Sequence, residues 1–266
     1  VITNIGEAHI ENFPSVYGIA KAKSEIIESI SEGGTIILNR DDKFFNFLSK
    51  KAKKYKLQTL TFGFHKKSDI KIKKITKKGD YSKIFIIINN RIVDLEIRDL
   101  NIYNVLASIA VLEVLKIDIK KIKARLKNFE SPEGRGKKYS ITRYKKRFNL
   151  IDESYNANPL SVKNAINKLN LIKKEKFKKY LILGDMLELG SKSNKYHEQL
   201  SKVINNSDID KVFIKGKKTI FTYKQLNKNK RGNILQDNED IDISLGKMIS
   251  NNDHLMIKGS NATGLN

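Results

Sequence analysis

The chain has 266 residues, 39% of them hydrophobic, no cysteine, and a formal net charge of +23 from 52 basic and 29 acidic side chains. That length holds two domains with separate cores; the lack of cysteine excludes disulfides and thiolate metal sites and fits a reducing cytoplasm; and no apolar run is long enough to span a membrane. The lysines are dispersed over stretches such as 50–56, 71–78, 137–146, 173–179 and 217–230, without interleaved aromatics. This argues against a nucleic-acid groove and for a solvated basic surface that attracts anions such as nucleotides.

In chain order, Val1 to Gly6 reads as a short strand running into a loop. Pro14 and Ser15 start a predicted helix to about Ile30, with Val16, Ile19, Ala20, Ile26, Ile27 and Ile30 on one face. Lys23 falls on that stripe, where a lysine is either desolvated and reactive or snorkels from the edge. Thr35 to Asn39 is a buried strand. Asp41 and Asp42 after it read as a cap and a first-turn acid for a helix to about Lys54 rather than as metal ligands. Leu60 to Phe64, Ile70 to Ile75, Ile84 to Ile88 and Ile92 to Ile97 read as strands of an antiparallel extension. Turns fall at Gly79-Asp80 and Asn89-Asn90. A helix from Asn101 to Lys116 turns Val105, Ile109, Leu112 and Leu115 inward, and a shorter one fills Ile117 to Phe129.

Ser131-Pro132-Glu133-Gly134-Arg135-Gly136 has the composition of an interdomain hinge. Beyond it strands and helices alternate, which implies a mostly parallel sheet with helices on both faces. Strands are expected at Tyr139 to Tyr144, Phe148 to Ile151, Tyr180 to Leu183, Lys211 to Ile214, Asn233 to Leu235 and Leu255 to Lys258. Helices are expected at Pro159 to Leu171, Ser193 to Ile204 and Ile241 to Ser250. Ligands of open α/β sheets bind at the carboxyl ends of strands, next to helix N-termini. Asp152 stands at such an end, able to bond a ribose hydroxyl, with Ser154, Asn156 and Asn158 around it. An ordinary strand–turn–helix connection explains the same residues. The loop at Gly184-Asp185 and the one at Lys258-Gly259-Ser260-Asn261 follow strands in the same way. His197, inside a helix, reads as structural.

Three stretches carry a resemblance. Asp152-Glu153-Ser154-Tyr155-Asn156-Ala157-Asn158-Pro159, Gly184-Asp185-Met186-Leu187-Glu188-Leu189-Gly190, and Thr3-Asn4-Ile5-Gly6-Glu7-Ala8-His9 with Lys23 downstream occur in the order found in the Mur ligases. The wording is most similar to the branch that adds D-alanyl-D-alanine to UDP-N-acetylmuramoyl-tripeptide. The resemblance implies an α/β fold: the end of a P-loop-type central ATPase domain over 1–131, a linker at 132–136 and a Rossmann-like ligase domain over 137–266. It implies ATP and magnesium as cofactors, a cytoplasmic monomer and an acyl-phosphate reaction. His9 and a carbamylated Lys23 are then the magnesium ligands and catalytic groups. Asn104, Arg135, Asp152, Tyr155, Asn156 and Asn158 are expected at the nucleotide. Ser154, Asp185, Glu188, Lys258 and Ser260 are expected at the peptide substrates, with Asp185 also catalytic, although structural capping explains Asp185 and Glu188 at least as well. The family pattern around Asn104 is altered, with Tyr103 and Ala107 where histidine and asparagine are usual. The half-site of His9 and Lys23 and that of Asp152 and Asn156 are expected to grip one nucleotide–metal assembly.

No phosphate-binding loop of the Gly-Lys-Thr kind is present. Gly216-Lys217-Lys218-Thr219 lacks the upstream glycine at the needed spacing. With Val1 in place of an initiator Met, the chain is therefore expected to be a fragment, inactive alone, whose loop and UDP-binding domain lie upstream. The rival readings are a related ligase for another amine, including the folate polyglutamylating enzymes, and a non-catalytic nucleotide- or nucleic-acid-binding module.

Overall fold

A computed structural model describes residues 1–78, 81–98, 100–173 and 175–265. The predicted Gly79-Asp80 turn lies outside the described residues. The chain forms two compact units. One comprises Val1–Gly6 and Ser15–Glu130, the other Glu7–Pro14 and Ser131–Asn266. The short segment carrying His9 therefore packs with the second unit.

In the first unit, helix α1 (Val16–Ser24) is capped by the Ser15 hydroxyl, which accepts from the Gly18 amide at 3.3 Å. It gives way to a 3₁₀ turn at Glu25–Ile27. The predicted stripe is broken: Ile19, Ala20 and Ile27 are buried, but Lys23, within α1, and Ile26, in the 3₁₀ turn, are exposed. Val1 to Gly6 is not a strand; Ile2 alone bridges Leu38, in parallel. Strand β1 (Thr35–Asn39), helix α2 (Phe45–Lys54) and β2 (Gln58–Gly63) follow, then β3 (Ile70–Lys78), β4 (Tyr81–Ile88) and β5 (Arg91–Arg98). They form one five-stranded sheet in the order β1-β2-β3-β4-β5. Only β3, β4 and β5 pair antiparallel; β2 runs parallel to β1 because α2 makes the crossover, so the antiparallel extension starts later than expected.

Along β4 burial alternates, with Ile84, Ile86 and Ile88 inward, as a sheet with one covered face requires. Helix α3 (Ile102–Val114) covers that face with Val105, Leu106, Ile109 and Ala110. It ends before Leu115, which is exposed rather than turned inward. A 3₁₀ turn at Ile119–Ile122 and helix α4 (Lys123–Asn128) occupy the predicted last helix of this unit.

The second unit carries β6 (Lys137–Arg143), β7 (Lys146–Glu153), α5 (Pro159–Asn170), β8 (Lys179–Gly184) and α6 (Ser193–Asn205). Then come β9 (Lys211–Lys215), α7 (Thr219–Lys224), β10 (Arg231–Leu235), α8 (Asn238–Met248) and β11 (His254–Lys258). The six-stranded sheet has the order β10-β9-β8-β11-β7-β6, parallel except at the β6 edge. Helix α7 was not foreseen, because its six residues are β-branched and aromatic in the main. Every residue of β8 is buried, since this strand lies inside the sheet with both faces covered. Helix α5 buries Val162, Ala165, Ile166 and Leu169, at helical spacing, behind an N-terminal capping box. Among the described residues, no helix is long and apolar enough to cross a membrane.

Candidate functional site

Parallel pairing sets the site. Lys258 of β11 lies level with Glu153 of β7 on one side and Leu183 of β8 on the other. Three adjacent strands thus end together, and the loops that leave them share one edge of the sheet. Ala8, His9, Tyr155, Asn156, Ala157, Asn158, Leu187, Glu188, Ser260 and Asn261 line a cleft there with a volume of about 240 Å³.

The loop after β7 is built by Asp152. Its Oδ1 accepts from the Ser154 amide at 3.0 Å and the Ser154 hydroxyl at 2.6 Å, and its Oδ2 accepts from the Gly134 amide at 2.9 Å. The carboxylate expected at a ribose is turned into the protein, because three protein donors claim it, and Ser154 is buried with it. The Gly134 turn is held again by the Tyr155 amide donating to the Gly134 carbonyl at 3.0 Å. Gly134 has φ +68°, and a Cβ there would stand 2.9 Å from the Tyr155 nitrogen, so the close approach needs glycine. The predicted hinge is therefore pinned to the β7 loop as part of the second unit. Arg135 is carried over the Tyr155 ring, 4.0 Å from its centroid. Tyr155 remains 51% exposed. Asn158 caps α5 by accepting from the Ser161 amide at 2.9 Å. Its side chain lines the cleft while serving the helix.

Lys258, expected at a substrate carboxylate, is only 2% exposed. Its Nζ donates to the Glu153 carbonyl at 3.1 Å and to the Asn156 carbonyl. Burial pushes its ammonium down to about 8; the nearby Glu153 charge opposes that shift and Arg135 adds to it.

The loop after β8 rests on two buried groups. Asp185, 9% exposed, was expected to handle substrate. Instead it accepts from the Thr219 amide at 2.7 Å and the Lys218 amide at 3.0 Å, which caps α7. A helix N-terminus buried without such a partner would orphan those donors, and capping, the alternative role open to this acid, is the one its bonds serve. His197 is fully buried; its Nε2 accepts from the Met186 amide at 3.0 Å and its Nδ1 donates to the Ser193 carbonyl at 2.8 Å. Burial holds this imidazole below its usual range, so it stays neutral and structural, as the sequence suggested. The Ser260 hydroxyl accepts from the Leu187 amide at 3.2 Å. Glu188 is left facing the cleft, where its carboxylate meets Nδ1 of His9. Both residues have left-handed backbones, His9 at φ 56° and Glu188 at φ 59°, a costly conformation for residues with a Cβ.

A carboxylate on Nδ1 orients the ring and leaves Nε2 to act as a metal ligand, the arrangement typical of ligating histidines. Among the described residues, no three His, Asp or Glu side chains gather as a metal-ligand set. The chain thus offers His9 as a single nitrogen ligand in this cleft. In the first unit, exposed Lys23 donates from Nζ to the Asn4 carbonyl at 3.3 Å, so it is not the buried lysine of the predicted stripe. Asn104 is exposed on the first turn of α3 beside Tyr103, whose hydroxyl donates to Asp41 at 3.1 Å. Burial and the Asp41 charge push the Tyr103 phenol up to about 12. Asp41 and Asp42 do not cap α2. Asp41 accepts from the Phe64 and His65 amides, and Asp42 from the Ile5 and Phe44 amides.

Asn261 and Leu187 line the cleft but were not singled out as site residues; their place in strand-end loops was the available signal. Gly134 and Gly136, read as hinge glycines, are instead turn formers with positive φ.

The Mur ligase middle domain family matches residues 1–112, and the Mur ligase, glutamate ligase domain family matches residues 140–261. A UDP-N-acetylmuramoyl-tripeptide–D-alanyl-D-alanine ligase of Rickettsia prowazekii is 28% identical over 269 residues, covering 100% of this chain and 59% of that protein. The Buchnera aphidicola (Acyrthosiphon pisum) protein of the same name is 34% identical over 80% of this chain and 46% of its own length. The crystal structure of MurF ligase from Thermotoga maritima in complex with ADP superposes with a TM-score of 0.83 at 22% identity, covering 98% of this chain and 58% of that one. The chain thus spans about half the length of the curated relatives it matches.

Proposed function

The chain belongs to the Mur ligase family, and from that premise we propose that it is the carboxy-terminal part of an ATP-dependent ligase joining D-alanyl-D-alanine to UDP-N-acetylmuramoyl-tripeptide. The observation that carries this reading is the cleft at the carboxyl edge of the parallel sheet, where cationic Arg135 sits over Tyr155 and the Glu188–His9 pair faces Asn156 and Asn158. The relatives that bear this activity in their names supply the substrate identities.

ATP phosphorylates the terminal carboxylate of the tripeptide, releasing ADP. The dipeptide amine then attacks the acyl phosphate, the amide forms, and inorganic phosphate and a proton leave. Arg135 offsets charge on the nucleotide phosphates, and the exposed ring of Tyr155 with Asn156 lines the nucleotide's side of the cleft. Glu188 receives the dipeptide ammonium, and Ser260 supports the loop that presents it. Magnesium would be held by His9 through Nε2 and would supply charge neutralisation for phosphoryl transfer. Asn104 is assigned to the adenine. ATP and a UDP-linked precursor as substrates place the enzyme in the cytoplasm.

The test is amine-dependent phosphate release by the full-length protein with ATP and UDP-N-acetylmuramoyl-tripeptide. Release with D-alanyl-D-alanine, and not with diaminopimelate, lysine or glutamate, is expected. Release with one of the other amines alone would move the protein to a different branch. Salt-sensitive DNA binding without ATP affinity would make it a binding module.

A further inference from the structure

We propose that Lys258 is a positioning residue of the cleft: its buried Nζ holds the Glu153–Asn156 loop in the shape that presents Tyr155 and Asn156 to the nucleotide. The word "nucleotide" rests on the function proposed above; the holding of the loop rests on geometry alone.

Lys258 ends β11, between β7 and β8. Its side chain runs under the loop and meets main-chain carbonyls at both ends of it, Glu153 and Asn156. At 2% exposure it does not reach a ligand in the cleft. An aliphatic side chain would fill the same space without the desolvation cost of an ammonium, but would leave the two carbonyls without this donor. The loop has one further main-chain tie to the turn before β6, from the Tyr155 amide to the Gly134 carbonyl. Without the lysine, the loop keeps that bond, the Asp152–Ser154 bonds and the Arg135 stack, but loses its ties at the Glu153 and Asn156 carbonyls. The charged groups around Nζ are Glu153 and Asp152 from β7 and Arg135 from the turn, with Lys168 of α5 facing Glu153 at 3.9 Å. Burial pushes the Lys258 ammonium down to about 8, and the neutral amine formed above that keeps two N–H donors for the two carbonyls.

The experiment uses the full-length protein with Lys258→Met and Lys258→Arg, reading amide hydrogen exchange at 154–157 and steady-state kinetics. Lys258→Met is expected to speed exchange at these amides and raise the KM for ATP, each about tenfold, while kcat and the dipeptide KM change less than about threefold. Lys258→Arg is expected to restore both readouts. Unchanged exchange in Lys258→Met overturns the proposal, as does an effect confined to the dipeptide KM, which would make Lys258 a substrate contact. Should Lys258→Met fail to fold, Lys258→Gln is compared with wild type by the same exchange measurement. Faster exchange at 154–157 is expected, and unchanged exchange overturns the proposal. An exchange difference between wild type and Lys258→Met, with no turnover of D-alanyl-D-alanine by wild type, sinks the function reading and leaves the loop assignment standing.

Discussion

The loops after β7 and β8 start alike and do different things. Each begins with an acid at the end of a strand of the second sheet, Asp152 in one and Asp185 in the other. In both, main-chain amides claim the carboxylate. Asp185 reaches 33 and 34 residues along the chain to cap α7 and is buried there. Asp152 reaches back 18 residues to the Gly134 turn, and so carries Arg135 over Tyr155 at the cleft. One acid serves the stability of the domain, and the other serves the shape of the site. What faces the cleft in each case is the residues after the acid: Tyr155 and Asn156 in one loop, Glu188 in the other.

That contrast is open to direct attack. Asp185→Ala removes an acceptor from buried amides and is expected to cost about 3 kcal/mol, the scale of charge-assisted hydrogen bonds lost at a helix start. Urea unfolding measures this, and ATP affinity of the folded fraction should hold. If that affinity fell while stability held, the two acids would have exchanged roles. Asp152→Ala is expected to cost about 2 kcal/mol because its bonds are only half-buried. It should also raise the ATP KM about tenfold, since Arg135 and Tyr155 lose their anchor.

His197 tests the β8 loop from below. Its folded-state pKa is lowered, so the unfolded chain binds the proton first; stability conferred by the neutral ring is present above about 6.5 and is lost as pH falls below it. Thermal midpoints at pH 7 and pH 5 should therefore separate more in wild type than in His197→Phe, which also loses about 2 kcal/mol at pH 7 from the stranded Met186 amide. Equal pH shifts in the two proteins would refute the assignment. Glu188→Gln should have the smallest effect on stability, under about 1 kcal/mol, because the Glu188 and His9 side chains are 49% and 57% exposed. Its consequence should fall on the KM for the dipeptide. A dipeptide KM unchanged by Glu188→Gln would remove Glu188 from the substrate.

Where a pattern depends on local spacing, reading the sequence worked. The continuous apolar run of β8, the alternation of β4 and the Asn158-Pro159 start of α5 lie where expected, because burial and capping there are set by residues within a few positions of each other. The helix from Ser15 failed midway: the chain changes pitch after Ser24 and Ile26 is exposed, while Lys23 is already exposed within α1. In the stretch 131–136, read as a hinge, Gly134 forms a docked turn for a related reason. Glycine composition fits a flexible link and a tight docked turn equally, and only Asp152 and Tyr155 decide between them.

By itself, then, the amino-acid order determined the family, the alternation of strands and helices, and the edge of the sheet at which the cleft lies. The folded chain alone decided which polar side chains reach that cleft. A buried main-chain amide or carbonyl must be paired by whatever group lies nearest in space. For Asp185 and Lys258 those partners lie 33 and 105 residues away in the chain, and for Asp152 the Gly134 amide lies 18 away, beyond the reach of any local pattern.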